Sequence, residues 1–366
     1  YGRFAVPAFT QVLMNLVMVF FALVVAVHSS NPGVTLAIGV FVSGVAQLLY
    51  MLPSVARLGL LSWPRWRPAA EGVRRIGKLM LPGIVGSSMA QVSLLLDTLI
   101  ASFLVTGSIA WLYYADRLME FTLGVFSIAL ATVILPRLSA QHAAGDAARF
   151  SATLDWSLRI VILMVLPAAV GLLVLAGPMA ATIFGYGRFS DRDVEMTQYG
   201  LMAYSWGLIG FSLVKVLAPG YFARQDTRTP VRVGLIALGV NMAFNVLVVL
   251  PAHYAGFAAP FVLLATSTCL SAALNAFLLW RGLRAAGVYR PQEGWSALLG
   301  RVLLANAVMA GVLLSLSHDL ARWLAEAPLH RALHLSMLVV AGAAVYAGVL
   351  WVSGMRPAHL RPREGR

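Results

Sequence analysis

Asp97, Asp116, Arg117 and Glu120 lie inside long apolar runs of this 366-residue chain. An isolated charge at the centre of a membrane helix costs about 2.5 to 3.5 kcal/mol on insertion scales, so four of them need compensation. Asp116 and Glu120 stand at i,i+4 and Arg117 and Glu120 at i,i+3, which sets them on adjoining faces of one helix. Asp97 precedes a turn at Thr106–Gly107 by nine residues and Arg117 follows it by ten. At 1.5 Å per residue, both sit about 13 to 15 Å below that turn. One reading is a buried ion-pair network that locks a hairpin. The other takes the tyrosines of Trp111-Leu-Tyr-Tyr-Ala-Asp-Arg-Leu-Met-Glu120 as the lining of a hydrated, ligand-accessible face. The planar fork of Arg117 can hold two oxygens at once, which suits a diphosphate better than an ammonium would.

A second polar set lies further on. Asn241 and Asn245 share one helix face at i,i+4, and Thr266 falls at a comparable depth in the next apolar run. With Asp97 they offer only oxygen ligands, which fits a hard monovalent cation rather than zinc or copper. Interhelical hydrogen bonding is the plainer use of the same residues.

The elements that must position these groups follow from composition. The chain is 60% hydrophobic and 11% charged, with mean hydropathy +0.82, far from the roughly 25% charged residues of a soluble domain. Ten continuous apolar runs are long enough to cross a bilayer as helices: 7–28, 34–56, 77–104, 109–136, 153–177, 195–218, 228–250, 256–283, 297–317 and 331–353. Pro82, Pro136, Pro230 and Pro260 sit near run ends, and Pro167 in mid-run predicts a kink. Of 27 basic residues, 22 fall on one side of this arrangement and four, Arg188, Arg192, Arg322 and Arg331, on the other. The positive-inside rule then places both ends of the chain in the cytoplasm. Topology and contact with anionic lipid absorb the net charge of +13, so nucleic-acid binding is not expected.

Other chemistries find no foothold. There is no G-x-x-x-x-G-K-[ST] loop, no H-E-x-x-H and one cysteine, Cys269, so P-loop hydrolysis, a zinc site and a disulfide framework are not expected. Ser62 to Glu71 reads as a linker, 137–150 as a short amphipathic cytoplasmic helix, and the stretch after Gly354 as a disordered tail. Beginning at Tyr1 without a methionine, directly before an apolar run, the chain reads as a fragment.

The segment from Trp111 through Phe121-Thr-Leu-Gly-Val-Phe-Ser-Ile-Ala-Leu-Ala-Thr-Val-Ile-Leu-Pro136 resembles the MurJ (MviN) family of lipid II flippases. Lys215-Val-Leu-Ala-Pro-Gly-Tyr-Phe-Ala-Arg-Gln-Asp-Thr-Arg-Thr-Pro230 resembles a second signature of that family, and the likeness runs along nearly the whole chain. It implies an all-α fold of the multidrug/oligosaccharidyl-lipid/polysaccharide exporter superfamily, with fourteen helices in two six-helix lobes plus two. The ten runs would match helices five to fourteen, leaving four before Tyr1. On that frame residues 1–60 finish the first lobe, 61–76 link, 77–284 form the second lobe, 285–354 the appended pair and 355–366 a cytoplasmic tail. A weak internal repeat accompanies it: Arg3, Pro7 and Asn15 open the first run much as Arg228, Pro230 and Asn241 open the seventh.

The resemblance further implies a bacterial inner-membrane transporter, not an enzyme, that moves lipid II by alternating access. Arg117 matches the family's cavity arginine in this motif, with Asp116 and Glu120 orienting or gating it. Asp97, Asn241, Asn245 and Thr266 lie on the helices where some relatives hold sodium, so Na+ or H+ coupling is expected and no other cofactor. Lipid II, membrane lipids and the cell-wall synthesis machinery would be its partners. Two alternatives remain: a multidrug or O-antigen exporter of the same superfamily, and a membrane glycosyltransferase, for which Asp191 and Asp193 would be the carboxylates in an outer connection.

Overall fold

The computed structural model of the chain describes residues 5–59, 91–125 and 129–356. Among the described residues there is helix and no strand, joined by turns and short irregular connections, as continuous apolar runs in lipid require when each segment must satisfy its own backbone. The chain divides into two compact units, Tyr1–Arg75 and Ile76–Arg366. The linker at 62–71, the first part of the third run (77–90) and the tail from 357 onward lie outside the described residues.

In the first unit α1 (Ala5–Phe20) runs into a π-helical turn at Phe21–Val25 and a tight turn at Ala26–His28, and packs against α2 (Pro32–Arg57). Pro32 stands at the start of α2, where its missing N–H and fixed φ cost nothing. In the second unit α9 (Arg228–Phe244) likewise runs into a π-helical turn, at Asn245–Val249. The first π turn starts 14 residues after Pro7 and the second 15 after Pro230.

The rest of the second unit comprises α3 (Gln91–Ser102), α4 (Ser108–Leu123), α5 (Ala129–Ala143), α6 (Ala147–Val174), α7 (Ala176–Phe184), α8 (Asp191–Phe222), α10 (Leu250–Tyr254), α11 (Pro260–Ala285), α12 (Trp295–Leu316), α13 (Leu320–Ala325) and α14 (Pro328–Val352). Among the described residues eight helices are long and apolar enough to cross a membrane. They coincide with all but the third and fourth of the ten expected runs. The third is described only as α3. The fourth is described as α4 and α5, with residues 126–128 outside the described residues, and Pro136 lies inside α5 rather than at a span end. The expected connector helix at 137–150 is absent as such; α5 continues to Ala143 and a turn at Gly145 leads directly into α6.

The core of this unit gathers around α8, which packs against α4, α5, α6, α7 and α11. Small residues allow the close approach that membrane helices need in place of a hydrophobic driving force. A Cβ at Gly210 would lie 2.9 Å from the backbone nitrogen of Ala273, so α8 and α11 could not meet there with any larger residue.

Candidate functional site

α4 begins at Gly107, whose φ of 102° turns the chain out of the preceding hairpin. A side chain at that position would collide with the Trp111 indole, which lies across the helix start. From there the 3.6-residue period decides everything: Trp111, Leu112, Ala115, Leu118 and Met119 are buried, and Ala115 packs beside Gly200 of α8. Tyr113, Arg117 and Glu120 are thereby left on the exposed side of α4.

There, Arg117 Nη1 donates to Glu120 Oε2 at 2.9 Å, and the two side chains are 55% and 49% exposed. The guanidinium also lies 4.9 Å from the Tyr113 ring centre, a cation–π contact. Asp116 is half-buried, with Glu120 and Arg117 as its charged neighbours. The guanidinium is therefore not sealed in protein within this unit. A charge on an exposed helix face at membrane depth is costly against lipid and tolerable against water or a polar partner.

The second polar set forms a linked cluster. Asn245 Nδ2 donates to Asp97 Oδ1 at 2.9 Å and reaches Asn241 Oδ1 at 3.4 Å. Thr268 Oγ1 approaches Asp97 Oδ2 at 3.5 Å, Asn241 Nδ2 donates to Ser267 Oγ at 2.9 Å, and Ser267 Oγ donates to the Asn241 carbonyl at 3.1 Å. α3, α9 and α11 are thus tied through polar groups, and the π turn of α9 starts at the buried Asn245. Asn245 Oδ1 is buried without a hydrogen-bond partner, an acceptor that calls for a donor or a cation.

Placement of the expected residues is mixed. Asp97, Asn241 and Asn245 come together, while Asp97 and Arg117 take separate partners despite their shared depth. Thr266 is exposed and donates to its own helix at the Val262 carbonyl, 2.8 Å away. At about 100° per residue, the α11 face toward Asn241 and Asp97 belongs to Ser267 and Thr268. The run Thr266-Ser267-Thr268 offers three hydroxyls, and nothing short of the helix phase selects among them. Asp193, weighed above as a catalytic carboxylate, accepts from Trp111 Nε1 at 2.8 Å on Oδ1 and from the amide and hydroxyl of Ser190 at 2.9 and 2.6 Å on Oδ2. It caps α8 and is committed to structure.

The family model described as lipid II flippase MurJ matches residues 1–331. A Haemophilus influenzae protein named probable lipid II flippase MurJ is 44% identical over 365 residues, covering 98% of this chain and 70% of its own length. The Burkholderia cenocepacia protein named lipid II flippase MurJ is 37% identical over 369 residues, with 99% and 70% covered. Among solved structures, a lipid II flippase MurJ in an inward closed conformation aligns with a TM-score of 0.75 at 18% identity, over 94% of this chain and 67% of that one. An outward-facing multidrug transporter of the MATE family aligns at 0.51 and 14%, over 76% and 64%. At those identities both structures speak to the fold alone.

Proposed function

The chain belongs to the MurJ family of lipid II flippases, and from that membership we propose that it carries lipid II across the bacterial inner membrane as a multi-pass transporter, not an enzyme. Family membership supports the cargo, whose undecaprenyl tail stays in lipid while the diphosphate-sugar head crosses. Alternating access between two lobes is the form of movement we propose, with Arg117 contacting the diphosphate and Asp116 and Glu120 orienting or gating it. The observation that carries the assignment of Arg117 is its exposed guanidinium, held by a carboxylate that an incoming diphosphate could replace. A planar donor fork meets two phosphate oxygens with charge-assisted hydrogen bonds, stronger than neutral ones.

For Asp97, Asn241 and Asn245 the reading is a monovalent cation site, Na+ or H+, completed by Thr268. The donor set fits: it is all oxygen, one member is a carboxylate, and Asn245 Oδ1 is buried with nothing to accept from. A bound cation would offset the Asp97 charge, and the residues' own part is to hold that carboxylate between α3, α9 and α11.

A multidrug or O-antigen exporter is the second reading. The fold-level likeness to a MATE transporter accommodates it, whereas the family match over residues 1–331 does not favour it. Growth of a flippase-depleted bacterium decides between them: the full chain is expected to restore it and Arg117→Ala, at equal expression, to fail. Full rescue by Arg117→Ala would remove that residue from the mechanism.

A further inference from the structure

We propose that Trp111 and Asp193 are positioning residues for the diphosphate contact, fixing the rotation of α4 about its own axis so that Arg117 faces outward; this rests on the reading of Arg117 above. Arg117 takes its ion pair and its ring contact from α4 itself, from Glu120 and Tyr113, so its direction depends on what pins the opposite face of α4. Two contacts do so. Ala115 packs beside Gly200, a small-on-small contact that allows close approach yet carries no direction. The directional one is the indole N–H of Trp111, which donates to Asp193 Oδ1 at 2.8 Å across to the start of α8.

That acceptor is itself held in place. Asp193 Oδ2 accepts from Ser190 N and Ser190 Oγ, and Ser190 Oγ accepts from Asp193 N at 3.3 Å, so the carboxylate completes the capping box of α8. The Trp111 ring is wedged between the bare backbone of Gly107 and the Phe261 ring, 5.3 Å away centre to centre. One carboxylate thus serves two helices: Oδ2 starts α8 and Oδ1 sets the phase of α4. Arg117 follows Trp111 by six residues, so a rotation at Trp111 is carried directly to the guanidinium.

The test uses the full chain in lipid, with Cys269 replaced by alanine and spin labels on cysteines at Phe121 and Tyr254, both exposed. Trp111→Phe keeps the ring and removes the donor; Asp193→Asn weakens the acceptor; Asp193→Glu retains a carboxylate. We expect the spin–spin distance distribution to broaden or shift in the first two and to return toward the parent in Asp193→Glu. Affinity for a polyprenyl-diphosphate lipid is expected to fall in Trp111→Phe, by at most the roughly tenfold that one hydrogen bond to a charged group is worth. An unchanged distribution in both Trp111→Phe and Asp193→Asn overturns the proposal. So does a changed distribution with parental affinity, provided Arg117→Ala does lose affinity. If Arg117→Ala itself binds like the parent, the reading of Arg117 fails, and the role of the pair in aiming at the diphosphate falls with it.

Discussion

Arg117 and Glu120 face each other across one turn of α4, Nη1 to Oε2 at 2.9 Å, on a surface where both side chains are about half exposed. On a hydrated surface, i,i+3 pairs of this kind contribute only about 0.2 to 0.5 kcal/mol. A diphosphate that takes over the guanidinium therefore gives up little when it displaces the carboxylate. Glu120→Gln is expected to leave thermal stability within about 0.5 kcal/mol of the parent while changing the rate of lipid release. Transport rates in proteoliposomes identical to the parent would remove Glu120 from the gating role.

The Asp97 cluster predicts a salt-specific stability. With a cation bound only in the folded state, raising NaCl should increase the unfolding temperature of the purified full chain, by the equivalent of about 2.7 kcal/mol at a hundred times the dissociation constant. Choline chloride at the same ionic strength should not, and Asp97→Asn should erase the difference. Equal melting of the parent in both salts would make the cluster an interhelical hydrogen-bond network and nothing more.

A different carboxylate holds the junction between α6 and α12. Asp155 is fully buried and accepts from Arg159 Nε at 2.7 Å, Trp295 Nε1 at 2.8 Å, Tyr289 Oη at 2.9 Å and the Gln292 amide at 3.1 Å. Removing the carboxylate leaves the Trp295 and Tyr289 donors without an acceptor, while Arg159 keeps the Gln292 and Glu293 carbonyls, so Asp155→Ala is expected to cost on the order of 3 kcal/mol. Limited proteolysis of the 286–294 connection should accelerate accordingly. A cleavage rate equal to the parent's would show that the loop does not depend on this carboxylate.

Asp226, in the turn between α8 and α9, gives a pH prediction. Burial pushes its carboxyl up, but hydrogen bonds from the Thr229 hydroxyl and the amides of Thr229 and Arg228, with Arg224 nearby, outweigh it and hold it below the usual carboxylate range. Because the folded-state value is the lower one, the stabilisation is complete above the unfolded carboxylate's pKa, about 3.9, and is lost as pH falls through the folded value. Amide exchange at Thr229, corrected for its intrinsic pH dependence, should show protection down to about pH 4 and lose it only below. Unchanged protection in Asp226→Asn across that range would contradict this.

Much of this was legible in the residues, and the parts that were not share a cause. Eight of the ten apolar runs appear as long helices because length and hydrophobicity alone specify a membrane helix. The intramembrane charges could be found by their cost in lipid. What the sequence withheld was rotation: which of Thr266, Ser267 and Thr268 faces Asp97 depends on how α11 is turned against α9, a matter of packing. Asp155 and Arg159 stand at the i,i+4 spacing of an ion pair, but Tyr289, Gln292 and Trp295, which complete the site, come from a segment more than 130 residues away.

The most direct test of the central claim is the affinity of the purified full chain for a polyprenyl-diphosphate lipid, compared with a monophosphate analogue. Loss of a charge-assisted, two-oxygen contact in Arg117→Ala should weaken diphosphate binding about 10- to 150-fold, with Arg117→Lys between the two and the monophosphate affected least. Equal affinity of the parent and Arg117→Ala for the diphosphate lipid would contradict the account.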